Sequence, residues 1–310
     1  MGQRRRRGRN LDGILLLNKA TGVSSNGALQ MAKKMFAAAK AGHTGSLDPM
    51  ATGMLPICFG EATKFSQFLL ESDKSYRVTA KLGITTETGD ADGEVVRTAD
   101  VTADADLIGS TLLGFIGDIQ QIPSMYSAIK HNGVPLYKLA REGITVPREP
   151  RDITIYDIRL LSVESTEVRF EVDCSKGTYV RSLVEDLGEA LGCGGHVTAL
   201  HRITAGPYPA DQMLTLEQLG EIKDNGGFEA LDQLLLPLGS SVEDWPRVSL
   251  SDNAAYYLMQ GQPVTVPQRP EDGWVSLYRE DTTQFLGVGE VLDDGRIAPR
   301  RLVAEPPIAN

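Results

Sequence analysis

Cysteine is nearly absent from this chain. The three present, Cys58, Cys174 and Cys193, are an odd number at wide spacing with no Cys-x-x-Cys pair. That pattern excludes a disulfide framework and a thiolate zinc site, and it predicts buried free thiols. Histidine is almost as scarce, and His43, His131, His196 and His201 form no metal-ligand spacing with one another. The acidic stretch Gly89-Asp90-Ala91-Asp92-Gly93 lacks the later glutamate of a calcium loop, so it reads as solvated loop. No apolar run approaches the length of a bilayer span, and the arginines at positions 4 to 7 have no apolar signal-peptide core behind them. A cytoplasmic protein without metal, cofactor or membrane partner is expected.

Positive charge is also short, with a net charge of −10 and a pI near 5.0. The sum alone argues against nucleic acid as a partner, because neutralising phosphates with Lys and Arg normally dominates such binding. Its distribution argues the other way. Residues 1–10 hold Arg4, Arg5, Arg6, Arg7 and Arg9 and no acid, so the remaining 300 residues carry the whole excess of acid, a net −15. A flexible basic arm of this kind can contact phosphates, although a solubilising tail has the same composition.

What is present is an ordinary globular balance, 41% hydrophobic and 23% charged, with enough length for a substantial core and one or two domains. Gly13 to Leu17 reads as a short buried strand. Ser24 or Ser25 can cap a helix running through Ala28, Leu29, Met31 and Ala32. Leu55 to Phe59 reads as a second buried strand and Glu61 to Leu70 as a helix. Tyr76, Val78, Ala80 and Leu82 alternate with polar residues, the period of a half-buried strand, and Val168 to Cys174 does the same. Val180, Leu183, Val184, Leu187 and Leu191 repeat at helical spacing, which puts Arg181 in the first turn, off the apolar stripe. From about Trp245 the elements shorten. A helix capped by Ser251, strands around Trp274–Tyr278 and 285–292, and a hairpin at Asp293-Asp294-Gly295 predict a small β-rich second domain, with Arg296, Arg300 and Arg301 as a positive patch.

The segment Gly42-His43-Thr44-Gly45-Ser46-Leu47-Asp48-Pro49-Met50-Ala51-Thr52-Gly53 is the most informative feature. Pro49 keeps Asp48 out of helical dihedrals, and the flanking glycines allow sharp turns, so one carboxylate is held out on a stiff loop. Asp-Pro also occurs at turns and caps with no chemistry attached. The density of small residues and the apolar run behind the loop point instead to tight packing against a buried strand.

These residues match a known pattern. Gly13-Ile14-Leu15-Leu16-Leu17-Asn18-Lys19 with Gly22-Val23-Ser24-Ser25, the Asp48 loop, Lys74-Ser75-Tyr76-Arg77-Val78, and Cys174-Ser175-Lys176-Gly177-Thr178-Tyr179-Val180-Arg181 together resemble the bacterial tRNA pseudouridine-55 synthases. The likeness extends to Gly287-Val288-Gly289-Glu290 and the closing Ala298-Pro299-Arg300-Arg301-Leu302-Val303, and so covers essentially the whole chain. The chain departs from the family pattern at Ala20, where proline is usual, and at His201, where arginine is frequent.

The resemblance implies an α/β fold: a catalytic domain over 11–245 with a mixed, largely antiparallel sheet, and a small β-rich PUA-like RNA-binding domain over 246–310. It implies isomerisation of uridine 55 in the T-arm loop of tRNA by base flipping and covalent catalysis. Asp48 would be the nucleophile and Arg181 its guanidinium partner, favouring the ionised form. Tyr76 would stack on the target base and assist proton removal. Tyr179 and Leu200 would line the uracil pocket, and His43 would prop the flipped nucleotide. The insertion 122–151, with Lys130, Lys138, Arg141, Arg148, Arg151, Tyr126 and Tyr137, would clamp the RNA. The sequence itself has nothing resembling a coiled-coil seam or long exposed apolar stripe, so a monomer is expected. Two other readings stand beside this one: a tRNA-binding folding chaperone that does not need the chemistry, and a metal-dependent hydrolase built on Asp90 and Asp92.

Overall fold

In the computed structural model, residues 8–304 are described; Arg4 to Arg7 of the basic arm lie outside them. Arg9 lies within them and is docked. Its guanidinium pairs with Asp232 and lies 4.4 Å from the ring centroid of Phe228.

The larger sheet has eight strands. Seven run in the spatial order Gly13–Lys19, Thr52–Phe59, Gly195–Ala205, Lys74–Leu82, Glu167–Cys174, Arg151–Glu164 and Gly117–Gln121, and the short strand Ala41–His43 pairs beside Thr52–Phe59. Pairing is antiparallel except where Thr52–Phe59 meets Gly195–Ala205, with His201 opposite Thr52 and Arg202 opposite Gly53. The fold is therefore mixed α/β and largely antiparallel, as the sequence predicts.

In the strand Gly13–Lys19 the stretch Gly13–Leu17 is unbroken apolar because both of its faces are covered. Leu15 and Leu17 pack with Ala28, Leu29 and Ala32 of the helix Ser25–Met35, while Ile14 and Leu16 pack with Met54, Cys58 and Leu69. Strands buried on both faces lose the polar alternation of a half-exposed sheet. Ser24 is the cap of that helix, its hydroxyl accepting from the Gly27 N–H, and Met31 lies on the exposed side. The three cysteines are buried and free.

The helix Val180–Ala190 packs its stripe of Val180, Leu183, Val184 and Leu187 into the same core. It approaches the strand Gly195–Ala205 closely at Gly188, where a Cβ would fall 2.2 Å from the carbonyl carbon of Gly194. The predicted helix from Glu61 to Leu70 is two pieces, a 3-10 turn Gly60–Lys64 and a short helix Ser66–Leu70. The Thr63 and Ser66 hydroxyls bond carbonyls three residues back, and Phe65 at the break turns inward against Phe285. Such local bonds compete with a continuous helical ladder.

A second, four-stranded sheet runs Arg247–Leu250, Trp274–Arg279, Phe285–Val291, Ile297–Leu302. With the helix Asp252–Met259 it encloses its own apolar cluster around Leu250, Leu258, Leu277 and Ile297. Trp245 and Trp274 pack edge to face against Phe68 of the helix Ser66–Leu70. The predicted positive patch is partly neutralised: Arg296 pairs with Asp294 at 2.7 Å and Arg300 with Glu290 at 2.6 Å. Among the described residues no helix is long and apolar enough to cross a membrane.

Candidate active site

The Asp48 loop is built from behind. The Ser25 hydroxyl donates to the Leu47 carbonyl at 2.9 Å and accepts from the Leu47 N–H at 2.7 Å, so the first turn of the helix Ser25–Met35 fixes the residue before Asp48. The Pro49 carbonyl accepts from the Gly22 N–H at 2.8 Å and from the Lys19 ammonium at 3.2 Å. Lys19 is almost wholly buried and also donates to the carbonyls of Ala20 and Val23. Burial lowers its pKa to about 8, against the opposing pull of Asp48. Arg202, also fully buried, crosses under the loop, donating through Nε to the Met54 carbonyl at 2.6 Å and through a terminal nitrogen to the Gly45 carbonyl at 3.1 Å. Each backbone carbonyl held in this way costs the loop a degree of freedom, so Asp48 is presented on a rigid frame.

Arg181 meets Asp48 as a fork. Its Nε lies 2.9 Å from Asp48 Oδ2 and a terminal nitrogen 3.3 Å from Oδ1. The guanidinium is buried, whereas the Asp48 side chain keeps 36% exposure. Arg181 also donates to the carbonyls of Thr88 at 2.8 Å and Tyr126 at 3.0 Å, and lies 3.5 Å from Asp90. The expectation of a solvated loop fails for Asp90, which is 5% exposed and accepts from the Thr88 hydroxyl and the Asp92 N–H. An acid that close to a buried guanidinium is drawn inside by its charge.

Two carboxylates share one guanidinium, and the electrostatics follow. Burial pushes the Asp48 pKa above the ordinary carboxylate value, Arg181 and Lys19 oppose that rise, and Asp90 adds to it. Arg181 does favour the ionised form, but burial outweighs it, so the carboxylate is more basic than a free aspartate. A more basic carboxylate is a better nucleophile and also a better proton acceptor.

A cavity of about 360 Å³ opens in front of this pair, and its wall includes Asp48, Tyr76, Tyr179, Arg181 and Leu200. Five of the six residues singled out from sequence therefore share one space. Tyr76 reaches it from the end of the strand Lys74–Leu82, Leu200 from the middle of Gly195–Ala205, and Tyr179 from the turn that opens the helix Val180–Ala190. Burial raises the pKa of the Tyr76 hydroxyl, and the Arg202 guanidinium beside it pulls the other way. His43, the sixth, lies in an adjoining cavity of about 460 Å³ that shares Asp48 and Arg181 with the first. Burial, reinforced by Arg202, holds the His43 pKa below its ordinary value, which keeps the ring neutral.

Sequence reading overlooked Lys19 and Arg202. The available signal was position: each is the one Lys or Arg of its strand, Lys19 at the end of a buried run and Arg202 within a strand of mixed burial. The segment 122–151 forms a hairpin of two-residue strands and the short helix Leu136–Arg141. Tyr137 and Arg141 line the His43 cavity, whereas Arg148 bonds back to the Pro123 carbonyl at 3.0 Å.

Residues 33–180 match the TruB family pseudouridylate synthase (N terminal domain), 181–243 the tRNA pseudouridylate synthase B C-terminal domain, and 246–303 the C-terminal domain described as Pseudouridine synthase II TruB. The chain belongs to the TruB family of pseudouridylate synthases. It is similar to tRNA pseudouridine synthase B of Pseudomonas aeruginosa strain UCBPP-PA14, 54% identical over 98% of this chain and 99% of the relative. The protein of that name from Nitrosococcus oceani is 56% identical, over 97% of each. Among solved structures, a chain of a Cbf5-Nop10-Gar1 complex superimposes with a TM-score of 0.74 at 25% identity, covering 94% of this chain and 85% of the other. A chain of an H/ACA RNP bound to a substrate RNA shares the fold, with a TM-score of 0.73 at 23% identity, over 98% and 92%. As a member of the TruB family the protein is an isomerase that makes pseudouridine in tRNA.

Proposed function

We propose that this TruB-family enzyme converts uridine 55 in the T-arm loop of tRNA to pseudouridine, with Asp48 as a covalent nucleophile. The observation that carries the reading is the pairing of a partly open, burial-activated carboxylate with a buried guanidinium at the mouth of a cavity walled by Tyr76, Tyr179 and Leu200. The reaction breaks the bond from N1 to C1′, forms one from C5 to C1′, and moves a proton from C5 to N1. No oxidant, energy source or external water is consumed. A carboxylate suits this sequence because it can attack C6 of the base or C1′ of the ribose and later leave, dividing a hard step into easier ones.

Arg181 orients the carboxylate. Tyr76 and Tyr179 give aromatic surface and Leu200 an apolar wall, which a base swung out of its loop needs to offset the few kcal/mol of lost stacking. Neutral His43 in the adjoining cavity supports the flipped nucleotide and its neighbours, and the 122–151 insertion grips the T-arm. The C-terminal four-stranded sheet serves as a PUA-like RNA-binding domain over 246–310, joined to a catalytic domain over 11–245, and the enzyme works as a cytoplasmic monomer. The test is an isolated T-arm hairpin assayed for the position of pseudouridine. Conversion at the uridine equivalent to 55 is expected, and absence of turnover on both the hairpin and whole tRNA would reject the assignment.

A further inference from the structure

The helix that carries Arg181 begins without a cap of its own. Tyr179 occupies the cap position in extended backbone, and its side chain accepts no bond from the first turn. Helix starts leave N–H groups that need partners. For Tyr179 the partner comes from the far edge of the sheet. Gln121 is 2% exposed; its Oε1 accepts from the Tyr179 N–H at 2.7 Å, and its Nε2 donates to the Tyr179 carbonyl at 3.0 Å. One side-chain amide thus brackets both polar groups of a single residue, two residues before Arg181.

Gln121 also sits at a junction. It ends the edge strand Gly117–Gln121 and pairs in register with Arg151. The 122–151 insertion therefore leaves and rejoins the sheet at this one pair. A few residues beyond, the Tyr126 carbonyl accepts from the Arg181 guanidinium at 3.0 Å, and the Tyr126 hydroxyl donates to Glu87 at 2.6 Å. The root of the insertion touches the Arg181 turn at two points, through a side chain at its start and a carbonyl at Tyr126.

We infer that Gln121 is a positioning residue for pseudouridine formation: it ties the root of the 122–151 insertion to the Tyr179–Arg181 turn and so fixes the guanidinium on Asp48. This rests on the reading of Asp48 as nucleophile. The amide is suited to the task because it both donates and accepts within one plane and is uncharged, so it can be buried with both groups satisfied. Displacing a catalytic group by about 1 Å can cost about a hundredfold in rate.

The test compares Gln121→Leu and Gln121→Glu with wild type and with Asp48→Asn, on the full-length enzyme and a T-arm hairpin. Gln121→Leu is expected to lower the single-turnover rate by about ten- to a hundredfold while hairpin affinity stays within about threefold. Gln121→Glu sets a buried carboxylate oxygen against the Tyr179 carbonyl in place of the donor, and should lower the rate at least as much. The groups facing Asp48 are Arg181, Asp90 and Lys19; loosening Arg181 removes the largest of the favourable charges, so the acid limb of the rate profile should move to higher pH in Gln121→Leu. A change confined to melting temperature would not move that limb. A Gln121→Leu rate within twofold of wild type overturns the inference, as does a rate loss with no movement of the acid limb. Should Gln121→Leu fail to fold, the same two criteria apply to Gln121→Met, which is uncharged and of nearly the same length. An active Asp48→Asn enzyme would instead refute the nucleophile itself, so the two failures are told apart.

Discussion

The Cβ that any other residue would bring to position 53 falls 2.3 Å from the carbonyl oxygen of Arg202, and Gly53 has φ +99°. This is where the loop carrying Asp48 ends and the parallel pairing of Thr52–Phe59 with Gly195–Ala205 occurs. Glycine there permits the close approach that lets Arg202 run beneath the loop. Gly53→Ala should lower unfolding free energy by about 2–4 kcal/mol, combining backbone strain with overpacking against main chain. Gly261 has φ +84° and open space around its Cβ position, so Gly261→Ala should lose only about 1 kcal/mol. Denaturant unfolding of both variants checks the contrast, and equal losses would contradict it.

With Asp48 as the proposed nucleophile, the charge of Asp90 should tune the acid limb of the reaction. Chemistry that needs ionised Asp48 is present above its pKa and lost as the pH falls through it. That pKa lies above the ordinary carboxylate value, and the charge of Asp90 contributes to the rise. Asp90→Asn removes one upward influence, so the acid limb of the single-turnover rate should move to lower pH. A limb that stays in place or moves upward would show that Asp90 acts on the geometry of Arg181 rather than through its charge.

Two variants at Tyr76 separate the stacking and proton-transfer roles proposed for it. Tyr76→Phe keeps the ring and removes the hydroxyl beside Arg202. The single-turnover rate should fall by about 10²–10⁴-fold, the usual range for a positioned acid or base, with hairpin affinity nearly unchanged. Tyr76→Ala should also weaken binding by about 1–3 kcal/mol through lost stacking on the base. A Phe variant as fast as wild type would assign the hydroxyl no part in the chemistry.

The division between what sequence shows and what it hides follows physical lines. The strands at 13–19, 74–82 and 167–174 and the helix at 180–190 are legible because burial imposes a period on the chain. So is the Asp48 loop, because glycine and proline restrict backbone locally. Contacts across the sheet carry no such signal. Asp90 reads as solvated because its neighbours are glycine and acid, yet Arg181, 91 positions away in sequence, draws it inside. Gln121 looks like one polar residue at the end of an exposed strand, and only the register of the edge strand brings it to Tyr179. The Glu61–Leu70 helix breaks because Phe65 and Phe68 are shared with the C-terminal sheet, a demand that local periodicity does not contain.

The most direct measurement of the central claim is the single-turnover rate of Asp48→Asn on a T-arm hairpin, alongside its affinity for the same RNA. The substitution keeps the shape at the loop and removes the charge that Arg181 holds. The rate should fall by at least about 10⁴-fold, as for loss of a nucleophile, while binding stays within a few fold of wild type. Pseudouridine formed at the wild-type rate would contradict the account.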